Sequence, residues 1–401
     1  MIKIRLQILI LGFGLLIYGS SAKANFSQSL DALLEKHNLP GVVILVKKGD
    51  KIIHYKAHGK VNVKKERLMR EDAIFRIFSM TKPITAVALL QLIDQGKLSL
   101  EDDIREYLPN FEPFEFKGKE QTVTVHHLLA HTSGMGYGGG LSNWSDFRYL
   151  IANPLSRSNS LEDLVDDISG IDLKFAPGEK WEYSISSDVQ GALIEAVSGI
   201  PLDQYFTKYL FEPLKMKDTG FYLPKERHDR LVDMYEYDAE TFEEAHHFNG
   251  DKIILSEKGK RSEYLEKSTL ISGGGGLVST ASDYSNFVAM LLDKGSFEGK
   301  RILSEAMIKR MTSSHTKDLD LSFLPRVHPN TGFGYGMAVK EIDDTLRNKG
   351  SYYWAGMGGT MFWADPKTDL QVVAMFQVED GWIALDKWLV PEVYKLIEEQ
   401  K

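Results

Sequence analysis

Ser79-Met80-Thr81-Lys82, followed by Pro83-Ile84-Thr85-Ala86-Val87-Ala88-Leu89-Leu90-Gln91-Leu92-Ile93, places a hydroxyl and an amine three residues apart at the head of an apolar run. The run is apolar on nearly every face, which predicts a helix buried in the middle of a domain, stopped by Gly96. Residues three apart on a helix share a face, so Ser79 and Lys82 are neighbours, and Pro83 is tolerated because it falls in the first turn. Ser79 then sits at the positive end of the helix. A serine hydroxyl is a weak nucleophile at neutral pH, and an amine takes its proton only if burial or nearby positive charge has lowered the amine's pKa. A lysine at the buried start of an apolar helix is expected to meet that condition. Two other tetrads fit the same four-letter pattern, Ser20-Ser21-Ala22-Lys23 and Ser314-His315-Thr316-Lys317. Neither opens a long apolar helix, and context selects Ser79.

Outward from this helix, strands come from both ends of the chain and helices from between. Gly41 to Val46 and Lys51 to Tyr55 flank Lys48-Gly49-Asp50 and read as a hairpin preceded by a short amphipathic helix, Leu30 to His37. Near the other end, Tyr352-Tyr353-Trp354, Met361-Phe362-Trp363 and Leu370 to Phe376 read as strands, closed by a helix from about Leu385 to Glu399. Helical patterns fill the middle, as in Leu161 to Ile168, Val189 to Val197 and Asp283 to Leu292. The order predicts an α+β fold with one antiparallel sheet assembled from the N- and C-terminal segments, flanked by helices, with a helical subdomain inserted. The polar stretch from Tyr235 to Lys267 reads as a surface excursion.

The chain has 401 residues, 43% hydrophobic and 26% charged, with no cysteine. Lys3 and Arg5 precede an apolar stretch from Leu6 to Tyr18, and small residues end in Ala22-Lys23-Ala24. This is the pattern of a cleavable secretory leader over 1–24, with the mature domain over 25–401, and it predicts an exported protein, periplasmic or secreted, without a stable membrane anchor. Losing Lys3, Arg5 and Lys23 with the leader takes the formal charge from −8 to −11, and an acidic chain disfavours nucleic acid as a partner.

If Ser79 attacks an acyl group, a second group must return a proton to the leaving group and a third must hold the oxyanion. Tyr183, in Phe175-Ala176-Pro177-Gly178-Glu179-Lys180-Trp181-Glu182-Tyr183-Ser184, is the candidate acid/base. A phenol titrates near ~10 in water, but beside Lys82 its anion is stabilised and a proton can shuttle between the two; the alternative is a core tyrosine with a satisfied hydroxyl. The glycine-rich segment Trp354-Ala355-Gly356-Met357-Gly358-Gly359-Thr360 lets a substrate lie against the backbone, with the amides of Ser79 and Met357 forming the oxyanion hole; the alternative is a bulged strand without a ligand. Tyr137, Trp144 and Phe147 either line the pocket or pack among themselves. Ser272-Gly273-Gly274-Gly275-Gly276 lacks the Lys-Ser/Thr ending of a phosphate cradle and reads as a loop before a helix. His126-His127 with His131, and Glu244 with His246-His247, lack zinc-hydrolase spacing and read as structural or surface histidines.

As a set, these segments resemble the serine β-lactamase and penicillin-recognising family in its class C-like branch, closest to the esterase-type hydrolases known as family VIII carboxylesterases. The resemblance spans roughly residues 28 to 398. It rests on Ser79 to Lys82, Thr124 to Gly134, Phe175 to Gly178 with Tyr183-Ser184, Gly275 to Thr280 with Asp283, and Gly332 to Gly336. It implies a β-lactamase/transpeptidase-like fold and acyl-enzyme chemistry without metal or cofactor. Ser79 becomes the nucleophile, Lys82 its proton acceptor, Tyr183 the acid/base and Met357 the second oxyanion amide.

Two departures bear on the substrate. Where the lactamase branch has asparagine two residues after the tyrosine, this chain has Ile185; Ser187-Asp188-Val189 is a near miss to the Ser-Asp-Asn of other branches. Where the lactamases carry Lys-Thr-Gly, this chain has Trp354-Ala355-Gly356, and an indole cannot replace the charged donor that binds a carboxylate. Trp354, Ala355, Gly356 and Tyr137 are therefore expected to bind a small uncharged ester. A β-lactam or D-amino-acid peptide substrate, and an inactive scaffold or binding protein of the same fold, are the alternatives.

Overall fold

The computed structural model describes residues 23–62, 67–138, 144–237, 253–256, 261–319, 321, 330–344 and 347–399. The leader expected over 1–24 lies, except for its last two residues, outside them. So do Glu244, His246 and His247. Among the described residues no helix is long and apolar enough to cross a membrane.

Seven strands form one sheet: β1 (Val42–Lys48), β2 (Lys51–His58), β3 (Thr331–Phe333), β4 (Ala338–Lys340), β5 (Tyr352–Ala355), β6 (Met361–Asp365) and β7 (Leu370–Met375). Their order is β3-β4-β5-β6-β7-β1-β2. Every neighbouring pair is antiparallel. The first hairpin docks on the last strand, with Val43 opposite Met375, so the sheet joins the two ends of the chain as the segment order predicts. In β6 and β7 every residue is buried, as are the first five of β1. Such continuous apolar runs need cover on both faces.

Two groups of helices supply that cover. A helix over 23–36 (α1) buries Phe26, Leu30 and Leu34. Its Phe26 ring lies 6.2 Å from Trp388 of the C-terminal helix Trp382–Glu398 (α5). The hydroxyl of Tyr394 in α5 donates to Asp365 of β6 (3.3 Å). Another helix, Ala281–Leu292 (α4), is capped by Thr280, which accepts from the Asp283 amide. It reaches the sheet through Ser285, which donates to Gln371 of β7 (3.2 Å), and through Tyr284, whose ring is 5.2 Å from that of Phe362.

The apolar run opens as predicted into Thr81–Asp94 (α2), buried without a break from Thr81 to Leu92. Its Ile84, Val87, Leu89, Leu90 and Leu92 are wholly inaccessible, each contributing about 1.5–3 kcal/mol through burial. α2 lies against Ser186–Ser198 (α3) in the helical region. The stretch Tyr235 to Lys267 differs from expectation at its start. Tyr235 is buried, its amide donates to the Gln377 carbonyl (2.9 Å) and its carbonyl accepts from the Glu379 amide (2.7 Å), so the chain here is tied to the segment that follows β7.

Candidate active site

Ser79 stands in the tight turn Phe78–Met80 immediately before α2. Phe78 has a left-handed φ of 41°, which costs a non-glycine residue about 1–3 kcal/mol. The turn is held by its surroundings: the Met80 amide donates to Ile77 (2.9 Å) and the Tyr284 hydroxyl donates to the Met80 carbonyl (2.9 Å). The rival tetrad Ser314 to Lys317 has no such setting. Ser314 to Lys317 is not helical, and residues 20–22 lie outside the described ones.

Lys82 is completely buried. Its Nζ donates to the Gly274 carbonyl (2.6 Å) and reaches Ser79 Oγ and the Tyr137 hydroxyl, each at 3.4 Å. It lies 4.6 Å from the centre of the Tyr183 ring. Burial pushes the amine toward its neutral form, as the sequence reading expected. The oxygens of Tyr137, Tyr183 and Asp188 outweigh it and hold Lys82 above the ordinary lysine range. The expectation that burial alone sets the amine is thus corrected: the oxygens around Lys82 shift it toward its charged form.

Tyr183 is brought to Lys82 by backbone bonds on either side of it, Glu182 amide to His131 (3.0 Å) and Ile185 amide to Gly136 (3.0 Å). Its ring is stacked between His131 (5.1 Å) and Tyr137 (5.5 Å). Its hydroxyl is buried, and the group it acts on is Lys82, whose charged form it favours. A buried phenol turned to a buried lysine, and not to a core acceptor, fits the acid/base reading better than that of a satisfied core tyrosine. His131 takes the Ser184 amide on Nδ1 (3.1 Å), and burial drives it well below the usual imidazole range. It is a neutral support for the phenol. His126 bonds Tyr335 (2.8 Å) and His127 accepts from the Thr124 amide (3.1 Å), both structural as read from sequence.

The glycine-rich segment lies against the Ser79 turn. A Cβ on Gly356 would stand 2.2 Å from the Ile77 carbonyl, so only glycine allows this approach. The side chain of Gln377 ties the two together, accepting from the Arg76 amide (2.8 Å) and donating to the Gly358 carbonyl (3.0 Å). Met357, 39% exposed, sits between the packed glycines, so the two amides expected to hold an oxyanion belong to touching segments. Trp354 packs on Tyr183 (5.6 Å) and on Phe333 (5.2 Å), forming an aromatic wall, and Ala355 is half-buried beside it. Tyr137, expected at the substrate, lies nearer the proton apparatus through its contact with Lys82. Trp144 and Phe147 show the packing that was the alternative to lining the pocket. They pack on each other at 5.4 Å and face outward, while Tyr149 of the same helix is buried.

Sequence reasoning missed the group behind Lys82. The loop Ser272 to Gly276 supplies the carbonyl that holds the ammonium, and the buried Asp188 faces the same loop. Asp188 Oδ1 accepts from Ser272 Oγ (2.5 Å) and from the Gly274 amide (3.0 Å). A carboxylate inside an otherwise buried helix start, together with four consecutive glycines, was the available signal.

Comparison with known proteins gives one answer. The family model described as Beta-lactamase matches residues 26–388. Esterase EstB of Burkholderia gladioli is 30% identical over 371 residues, covering 89% of this chain and 90% of the esterase. The solved structure of EstCE1, described as a hydrolase with promiscuous acyltransferase activity, superposes with a TM-score of 0.80 at 27% identity, covering 93% of this chain and 99% of that one. The octameric penicillin-binding protein homologue from Pyrococcus abyssi shares the fold, with a TM-score of 0.71 at 21% identity over 94% of this chain and 77% of its own. The chain belongs to the Beta-lactamase family and is a serine hydrolase of the β-lactamase fold.

Proposed function

We propose that the protein hydrolyses uncharged carboxylic esters through an acyl-enzyme on Ser79. The observation that carries the substrate class is Trp354: the place where a carboxylate-bearing substrate needs a cation is an indole packed on Tyr183 and Phe333. The 30% identity to an esterase supports the same class.

Ser79 Oγ attacks the ester carbonyl, and the amides of Ser79 and Met357 receive the charge that develops on its oxygen. The serine proton passes to the Lys82–Tyr183 couple in its deprotonated form, written either as ammonium with phenolate or as amine with phenol. The couple then returns the proton to the leaving alkoxide. Water attacks the acyl-enzyme, gives its proton to the couple, and Ser79 leaves with it.

The test sets a short-chain nitrophenyl ester beside nitrocefin and a D-alanyl peptide, with fluorophosphonate labelling of Ser79. Ester turnover that exceeds the other two and is lost in Ser79→Ala supports the reading. Faster nitrocefin cleavage would replace it with a β-lactamase, and Trp354→Lys should move the ratio in that direction.

A further inference from the structure

We propose that Asp188 is a positioning residue of this reaction: through Gly274, which both side chains grip, it fixes Lys82 at Ser79 and supplies the lysine's buried counter-charge. The inference rests on the assignment of Lys82 and Tyr183 as the proton-carrying couple.

The geometry is a chain of three residues. Gly274 gives its carbonyl to Lys82 Nζ and its amide to Asp188 Oδ1. A Cβ at position 274 would stand 2.3 Å from Asp188 Oδ2, so the carboxylate lies flat against the Gly274 backbone and a side chain there would drive the two apart. The Ser272 hydroxyl donates to Oδ1 and accepts from the Gly275 amide (3.0 Å), which locks the loop in this conformation. Thr85 of α2 donates to the Gly273 carbonyl (2.6 Å), so the loop is pinned from the lysine's own helix as well.

The carboxylate is paired on one side only. Asp188 is wholly buried, yet its Oδ2 has no hydrogen-bond partner among the described residues. A buried carboxylate oxygen without a donor is retained at a cost, and the first turn of α3 offsets part of it, since a helix start favours negative charge. The carboxylate's charge is near enough to favour the charged form of Lys82. The groups around the pair are Lys82 and Ser79 at the head of α2, Tyr137, Tyr183 and neutral His131 from the segments leading to α3, and Ser272 from the loop. Lys82 is the cation among them. Burial holds Asp188 above the ordinary carboxylate range, opposed in part by Lys82, Ser272 and Gly274.

The experiment is the pH dependence of fluorophosphonate labelling in wild type, Asp188→Asn, Ser272→Ala and Ser79→Ala, with circular dichroism to confirm folding. Asparagine keeps the acceptor for Gly274 and removes the charge. Without that charge the couple gives up its proton more easily, so the limb of the profile on which labelling rises with pH should move to lower pH by about one unit. Ser272→Ala weakens the carboxylate's support and should move it the same way by less, which keeps the test valid if Asp188→Asn does not fold. An unmoved limb in a folded Asp188→Asn or Ser272→Ala would overturn the inference, because a merely structural Asp188 changes stability and not the profile. If labelling persists in Ser79→Ala, the proposed function fails instead.

Discussion

Asp386 and Asp188 are buried carboxylates that each face a buried cation, and they are built differently. Asp386 of α5 meets Arg347 fork to fork, with Nη1 to Oδ2 at 3.2 Å and Nη2 bonded to Oδ1, and the guanidinium lies 4.4 Å above the Tyr353 ring. Asp188 and Lys82 have no direct bond: a glycine stands between them, one carboxylate oxygen is open, and a phenol stands beside the lysine. The first pair spends its charge on itself and locks α5 to the sheet. The second leaves charge and a proton-bearing oxygen available to a reacting group.

The strongest way to break this contrast is at the open site. Ser79→Ala should lower ester turnover by about 10⁴-fold or more, with the thermal midpoint nearly unchanged; a loss of stability in place of activity would make the site structural. Arg347→Ala should do the reverse. Leaving Asp386 buried and unpaired should cost about 3–5 kcal/mol in denaturant unfolding, with kcat/KM per folded molecule unchanged. Gly356→Ala tests the seam between the glycine segment and the Ser79 turn: the 2.2 Å approach to Ile77 must open, at about 1–3 kcal/mol, and kcat should fall while KM for the ester changes less.

A proton can probe a third buried pair. His54 and His58 of β2 share a hydrogen bond between their Nε2 atoms (3.2 Å), and His58 Nδ1 meets Asp31 of α1 (2.8 Å). Burial and the neighbouring His58 lower His54 to about 3. Below its unfolded value of ~6.5 the unfolded chain binds this proton and the folded chain does not. The pair's stability is therefore fully present above pH ~6.5 and declines as pH falls from there toward 3, by up to about 1.4 kcal/mol per pH unit. Urea titrations across that window should show the slope in wild type and a flatter one in His54→Gln.

Much of the fold was legible because periodicity and chain order are local records. The apolar run after Lys82 could be nothing but a buried helix, and strands at both ends had to share one sheet to cover their apolar faces. The tetrad, the tyrosine segment and the glycine segment were legible for the same reason: each keeps its residue types at short spacing. What local sequence does not carry is what stands across a gap. It could not show that Gly274 holds the ammonium 192 residues from Lys82 in sequence, that Tyr137 turns toward Lys82 while Trp144 faces outward, or that Lys82 is shifted toward its charged form. The protonation state shows why. Burial, which sequence predicts, favours the neutral amine; the three oxygens that oppose it come from separate segments, and only the folded chain sets their distances. Sequence by itself determined which groups are available for chemistry, and tertiary structure decided their charge and their partners, because electrostatic interaction depends on separation in space and not along the chain.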